Sequence, residues 1–191
     1  LSSAEASQDI TQYKAWIARA TVAWNIAPEF SVQPGVEYQW TQGEGGRIDG
    51  TPKVSALAFF LSAEYKPWEW LSLRPGVRTF IVADYDAPIA IPSVLTKFKL
   101  TKHMDLRLSY AYGFRSPTLQ ELYFSFHNDN HDIDGNPDLK AEYSHNITGS
   151  VAYRVLHSEK IHLTTTLSGF YNDFRDKISL AQNVDIPNYN T

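Results

Sequence analysis

The chain has no cysteine and a single methionine among its 191 residues. The first absence excludes a disulfide framework and any thiolate metal site, and it says little about compartment, because many cytosolic proteins also lack cysteine. Long hydrophobic runs are missing as well. No stretch approaches the roughly eighteen apolar residues that a membrane-spanning helix needs, which excludes helical spans and leaves strand crossings open. Runs of Lys or Arg are also absent. With 17 basic against 21 acidic residues the formal charge is −4, so no nucleic-acid partner is expected. The first residues lack a basic segment followed by an apolar one, and position 1 is Leu rather than Met. Both ends are therefore expected to be cuts in a longer chain.

Aromatic residues are plentiful, at 14% of the chain with 11 Tyr and 5 Trp, while hydrophobic residues total 43%. That mixture suits strands with one apolar and one polar face. Period-two alternation recurs along the chain. Phe30, Val32, Pro34, Val36, Tyr38 and Trp40 alternate with Glu29, Ser31, Gln33, Gly35, Glu37 and Gln39, and Leu106, Leu108, Tyr110, Tyr112 and Phe114 alternate with polar or small residues. Eight strands are expected near 16–26, 29–40, 54–65, 70–81, 93–100, 105–114, 143–155 and 160–174. Most are long enough for a tilted membrane crossing of about 9–11 residues.

The connections fall into two classes. Short turns are expected at Ala27-Pro28, Lys66–Glu69, Thr101–Met104 and Leu156–Glu159, and they alternate with long polar loops at 41–53, 82–92, 115–142 and 175–188. Short turns on one side and long loops on the other are the asymmetry of outer-membrane barrels. Aromatics near the segment ends, such as Trp16, Trp24, Trp40, Tyr65, Trp68 and Trp70, fit headgroup-level girdles, although aromatic rings also favour strands generally. Phe-Ser-Val-Gln-Pro-Gly-Val at 30–36 is echoed by Leu-Ser-Leu-Arg-Pro-Gly-Val at 71–77. Because Pro34 and Pro75 lack a ladder donor, a bulge or broken pairing is expected beside each.

Between Tyr112 and Tyr153 lie two boxes, Phe114-Arg115-Ser116-Pro117 and Asn136-Pro137-Asp138-Leu139-Lys140-Ala141-Glu142. Thr118-Leu119-Gln120-Glu121 reads as a capping box opening a short helical turn after Pro117. Asp134-Gly135-Asn136-Pro137 reads as turn chemistry, with Gly135 placed to take a positive φ. On these grounds Arg115, Pro117, Asn136 and Pro137 are expected to be architectural. The two boxes, in this order, resemble the barrel of TonB-dependent outer-membrane receptors. Ser, Asp and Ala stand here where that family has Ala, Asn and Pro.

The resemblance implies an all-β fold: an antiparallel up-and-down transmembrane β-barrel fragment, about eight strands of a larger, roughly 22-stranded barrel whose lumen holds a plug domain. It makes residues 1–191 a partial barrel domain in the bacterial outer membrane, with the plug and the remaining strands absent. Phe114, Arg115, Pro117, Asn136, Pro137, Leu139 and Glu142 are its family-box positions. The implied partners are outer-membrane lipid, the receptor's own plug, TonB and a small nutrient. That nutrient is expected to be an iron–siderophore complex, then haem, then cobalamin or a glycan. No cofactor of the protein's own is expected, since any iron would arrive with the ligand.

His127, His131 and Tyr123, in the long loop between the boxes, are the candidate ligand-binding residues. Haem receptors similar to this chain use a histidine placed there, and imidazole is a suitable axial donor. The bland alternative is a solvated loop histidine. Asn130, Asp132, Asp134 and Gly135 imitate the start of a calcium loop, but the closing Glu falls one place late at Glu142, and no metal site is expected. His103, His145, His157 and His162 show no ligand spacing. Neither a nucleophile elbow nor a phosphate loop occurs, so no enzyme is expected. Two other folds stay open: a soluble lectin-like β-sandwich, and a small complete barrel in which the first and last strands would pair.

Overall fold

In the computed structural model, residues 10–82, 87–128, 131–157 and 161–179 are described. Asn130, Ser158, Glu159 and positions 180–188 of the last expected loop lie outside them. The chain folds as β1 (Gln12–Thr21), β2 (Trp24–Ala27), β3 (Phe30–Glu44), β4 (Lys53–Trp68), β5 (Leu71–Val82), β6 (Ile91–Lys99), β7 (Met104–Arg115), α1 (Leu119–Tyr123), β8 (Ser125–Asn128), β9 (His131–Asp134), β10 (Glu142–His157) and β11 (His162–Arg175). Nine strands form one antiparallel sheet in the order β1-β3-β4-β5-β6-β7-β10-β11, with β2 also paired to β3, and β8 and β9 form a separate hairpin. Since β1 and β2 together make one interrupted crossing, the sheet has the eight crossings that the alternation predicts.

The meander does not close. β1 and β11 are not paired with each other, which removes the small complete barrel. Among the described residues no second sheet packs on either face, which removes the sandwich.

The interruption of the first crossing has a cause in the opposite strand. β1 pairs with β3 as far as Thr21 and Gly35, and β2 resumes at Trp24 and Val32. Between them stands Pro34, which offers its carbonyl to the Val22 amide at 3.0 Å but has no N–H to return. Pro75 acts in the same way on the β4 side. The β4–β5 ladder breaks between Ser62–Gly76 and Tyr65–Leu73 with no change of register, while Pro75 pairs without a gap to Val94 on β6. A register shift follows nearer the turn, between Tyr65 and Trp68.

One face of the sheet carries the apolar rows. On it the rings form two tiers. Toward the long loops, Trp16 lies 5.1 Å from Tyr38, and Tyr112 lies 6.0 Å from Tyr143. Toward the short turns, Trp68 stacks on Trp70 at 5.2 Å, and Phe30 meets Tyr65 edge-on at 6.1 Å. Phe30 and Trp40 bracket this face of β3. At about 3.3 Å per residue and a tilt of about 40°, the ten-residue span between them corresponds to about 25 Å, the height of an outer-membrane apolar band. Large apolar side chains stay exposed here, among them Phe59, Leu61, Val77, Ile147 and Val151. That exposure is what a lipid-facing surface requires.

The opposite face is polar and held by ion pairs. Glu37, only 1% exposed, accepts from Arg19 of β1, Arg78 of β5 and, at 2.6 Å, Gln39. A carboxylate this buried needs several partners, and it has them. Ala58 lies opposite Glu37 on β4, and its small side chain lets Arg78 reach across that strand. Arg19 and Arg78 also flank the Phe60 ring, at 5.9 and 5.7 Å.

Candidate functional site

At the long-loop end the strands give way to a cap built on the two boxes. Pro117, buried, ends β7, and Thr118 caps α1. The Thr118 hydroxyl accepts from the Glu121 amide at 3.2 Å, and the Glu121 carboxylate accepts from the Thr118 amide at 2.8 Å. This reciprocal pairing satisfies two donors that a five-residue helix would otherwise leave to water. Leu119 and Leu122 turn inward and, with Ile48 and Ala141, make up most of the buried apolar side chains among the described residues.

Arg115 ties the boxes together. Its guanidinium donates twice to Glu121, at 2.9 and 3.1 Å, and its Nε donates to Glu142 at 2.7 Å. The first residue of β10 is thus joined to the last of β7 and to α1 by one planar, permanently charged group. Glu142 accepts a further hydrogen bond from the Ile178 amide at 2.6 Å, so the segment after β11 is tied in as well. Burial pushes the Glu121 carboxyl up. The hydrogen bonds from Arg115 and Thr118 outweigh that and hold it below the ordinary carboxylate range.

Gly135 fits the cap for a reason other than the one its turn-like surroundings imply. Among the described glycines, only Gly45 and Gly50 have positive φ. A Cβ on Gly135 would lie 2.7 Å from the Leu122 carbonyl carbon and 2.8 Å from the Tyr123 amide nitrogen. The position needs glycine because the chain passes directly over α1. Its amide donates to the Phe124 carbonyl at 2.6 Å, and the Asn136 amide donates to that of Glu121 at 2.9 Å. The Asn136 side chain accepts from the Asp138 amide at 2.9 Å, closing the local turn of the second box.

The loop between β3 and β4 completes the cap. Ile48 forms an isolated bridge with Phe124. The Asp49 amide donates to the Tyr123 carbonyl at 3.1 Å, the Ser125 amide donates to Arg47 at 3.0 Å, and the Arg47 guanidinium lies 4.2 Å over the Phe126 ring.

Of the candidate ligand residues, Tyr123 ends α1 and gives its carbonyl to this strap. His127 lies exposed on β8, with Nε2 3.0 Å from the Ser125 hydroxyl and 3.2 Å from Asp134. The carboxylate can accept only from a protonated Nε2, so this contact favours a ring protonated there. His131 opens β9, paired with Asn128. Asp132 and Asp134 lie on the same paired strand, an extended course unlike that of a calcium loop. Phe114 packs 5.9 Å from Tyr143 and 5.5 Å from Phe80, beyond the end of β6. Leu139 is half-buried and Pro137 exposed. His145, without a role in the sequence reading, lies 3.0 Å from the Tyr110 hydroxyl.

Arg47, Ile48 and Phe126 escaped sequence reasoning. The alternation of Phe124 and Phe126, with Ile133 as the cross-strand partner of Phe126, was the signal available for a hairpin there. The cap offers oriented hydrogen-bonding groups, an imidazole and aromatic faces, which is the equipment of a binding surface.

Residues 3–191 match the protein family described as TonB dependent receptor-like, beta-barrel. The chain is 38% identical over 82 residues to the hemoglobin and hemoglobin-haptoglobin-binding protein C of Haemophilus influenzae, a match covering 43% of this chain and 7% of that protein. In fold it resembles the siderophore receptor PirA of Pseudomonas aeruginosa, with a TM-score of 0.69 at 18% identity over 86% of this chain and 31% of that one. It also resembles the FrpB iron transporter of Neisseria meningitidis, with a TM-score of 0.68 at 14% identity over 93% and 30%. The chain thus spans under a tenth of the curated relative and about a third of each solved structure.

Proposed function

The chain belongs to the TonB-dependent receptor-like β-barrel family, and from that premise we propose that it forms wall and capture loops of an outer-membrane receptor importing an iron complex. Lipid contacts the apolar face, the polar face lines the lumen, and the cap faces outward. The observation that carries this reading is the opposition of the two faces of one unclosed sheet: exposed apolar rows between two aromatic tiers on one side, ion-paired Glu37, Arg19 and Arg78 on the other. In such a receptor the loops capture the ligand, a plug closes the lumen, and TonB supplies the energy for release.

Haem drawn from haemoglobin is the favoured cargo. Support comes from the haemoglobin-binding relative, 38% identical over 82 residues, whereas the siderophore and iron-transport structures, at 18% and 14% identity, speak for the fold alone. It also comes from His127, an imidazole exposed on the hairpin beside Asp134. This order reverses the expectation that put siderophores first.

The test deletes the full-length gene containing this segment and supplies haemoglobin, free haem or a ferric siderophore as the sole iron source. Growth on haemoglobin and haem should be lost, and TonB deletion should reproduce the defect. Loss confined to the siderophore would replace the cargo, and unchanged growth on all three would overturn the receptor reading.

A further inference from the structure

The ion pairs of the polar face are not balanced alike along its length. Near the long loops Arg115 meets the two carboxylates of Glu121 and Glu142, a net negative cluster. In the middle Arg19 and Arg78 share Glu37, a net positive one. Near the short turns Arg74 reaches Glu64 at 3.1 Å and Lys97 reaches Asp105 at 3.4 Å, but Glu64 is shared with Lys66 at 2.6 Å and Asp105 with Arg154 at 3.9 Å. Arg107, the direct cross-strand partner of Lys97, has no ion-pair partner among the described residues. Five cations there face two carboxylates. Among these clusters, then, positive charge rises from the loop end to the turn end, in a chain whose overall charge is −4. Arg74, Lys97 and Arg107 surround a depression of about 170 Å³, completed by Ser72 and Leu95. Leu95, the cross-strand partner of Arg74, is a large apolar side chain in a polar row and 38% exposed. The depression is therefore an apolar spot between three cations.

We propose that Arg74, Lys97 and Arg107 form a transient station for the imported iron complex, one that selects carboxylates hung from an apolar body, as the propionates of a porphyrin are. The inference deepens the proposed import of haem and rests on it. The apolar edge of such a cargo lies on Leu95 while its carboxylates accept from the guanidinium and ammonium donors around it. Ser72 adds a hydroxyl donor beside Lys97, its cross-strand partner. The rise in positive charge draws the anion from the loop end toward the turn end. Arg74 and Lys66 keep more than half of their side-chain surface in solvent, so their attraction for an anion is screened. A station on a path has to bind well enough to be entered and weakly enough to be left. An iron complex without carboxylates gains nothing from the three cations.

The test measures uptake by energised cells carrying the full-length receptor, counted per receptor at the surface, with haem and haem dimethyl ester as the two probes. R107Q should slow transport of saturating haem roughly fivefold, about the loss of one exposed charge-assisted contact, and leave the affinity of the cell surface for haem unchanged. R107K should keep most of the rate. The ester has no carboxylate, and R107Q should carry it as fast as the wild type does. Equal slowing of both probes overturns the proposal and makes Arg107 a part of the wall's architecture. An unchanged haem rate in R107Q overturns it as well. If R107Q does not reach the outer membrane, K97Q takes its place and is read in the same way. Wild-type cells that take up no haem overturn the cargo reading, and this proposal with it.

Discussion

The two ends of the sheet handle charge and burial in opposite ways. At the long-loop end, Arg115 meets two carboxylates, and Leu119, Leu122, Ile48 and Ala141 are buried under a strap and a hairpin. At the short-turn end no comparable cluster of buried side chains occurs among the described residues, and Arg107 stands opposite Lys97. The loop end is organised by its own residues, whereas the turn end keeps two like charges side by side. A capture surface gains from being organised before the ligand arrives, because ordering costs are then met in folding and not in binding.

Four substitutions would break this comparison by loosening the cap while leaving the wall strands unchanged. In each, hydrogen exchange at 119–126 in the full receptor is the readout and β3–β4 the reference. The largest effect is expected from Gly135→Ala, whose methyl group would press on the α1 backbone. It should cost the cap about 2–3 kcal/mol, as overpacking does, with faster exchange throughout α1. Arg115→Ala comes next. It leaves Glu121 and Glu142 without their shared partner, and about 2 kcal/mol is expected from the loss of hydrogen bonds between charged groups.

Acid should imitate Arg115→Ala in part. The Glu121 carboxyl is held low in the folded cap, so its contribution is complete above the ordinary glutamate value of about 4.3. It is lost as pH falls through the lowered folded value. Exchange at α1 should therefore rise below about pH 4 in the wild type and much less in Arg115→Ala. Thr118→Ala removes the cap of α1 and should cost about 1 kcal/mol. Arg47→Ala, which removes the guanidinium over Phe126, should cost about 0.5–1 kcal/mol and loosen the strap with little effect on α1.

How far the sequence could be read depended on the range of each interaction. Phe30 to Trp40 alternate so regularly that strand and face follow from neighbouring residues alone, and Thr118 with Glu121 announces α1 within four positions. Broken pairing beside Pro34 was legible from the proline itself, but that it falls at Val22 and Ala23 was not, because those residues sit in the preceding strand. Gly135 was recognised as special for a local reason, a positive φ, when the true reason is the α1 backbone some twelve residues earlier. The hairpin β8–β9 was hard to read because its four-residue strands lie in a polar stretch where the alternation of Phe124 and Phe126 is too brief to stand out. Within the candidate site, the box residues stood out as types, but that Arg115 joins Glu121 to Glu142 follows from the fold and not from spacing.

The central claim is that alternate residues of one strand face lipid and lumen, and the absence of cysteine from this segment makes it directly measurable. Single cysteines at successive positions from Val32 to Gln39, spin-labelled in the full receptor reconstituted in bilayers, report collisions with oxygen in lipid and with a water-soluble nickel chelate. Val32, Val36 and Tyr38 should be accessible to oxygen and shielded from nickel, while Gln33, Glu37 and Gln39 show the reverse or are shielded from both. Equal accessibility to nickel at odd and even positions would contradict the account.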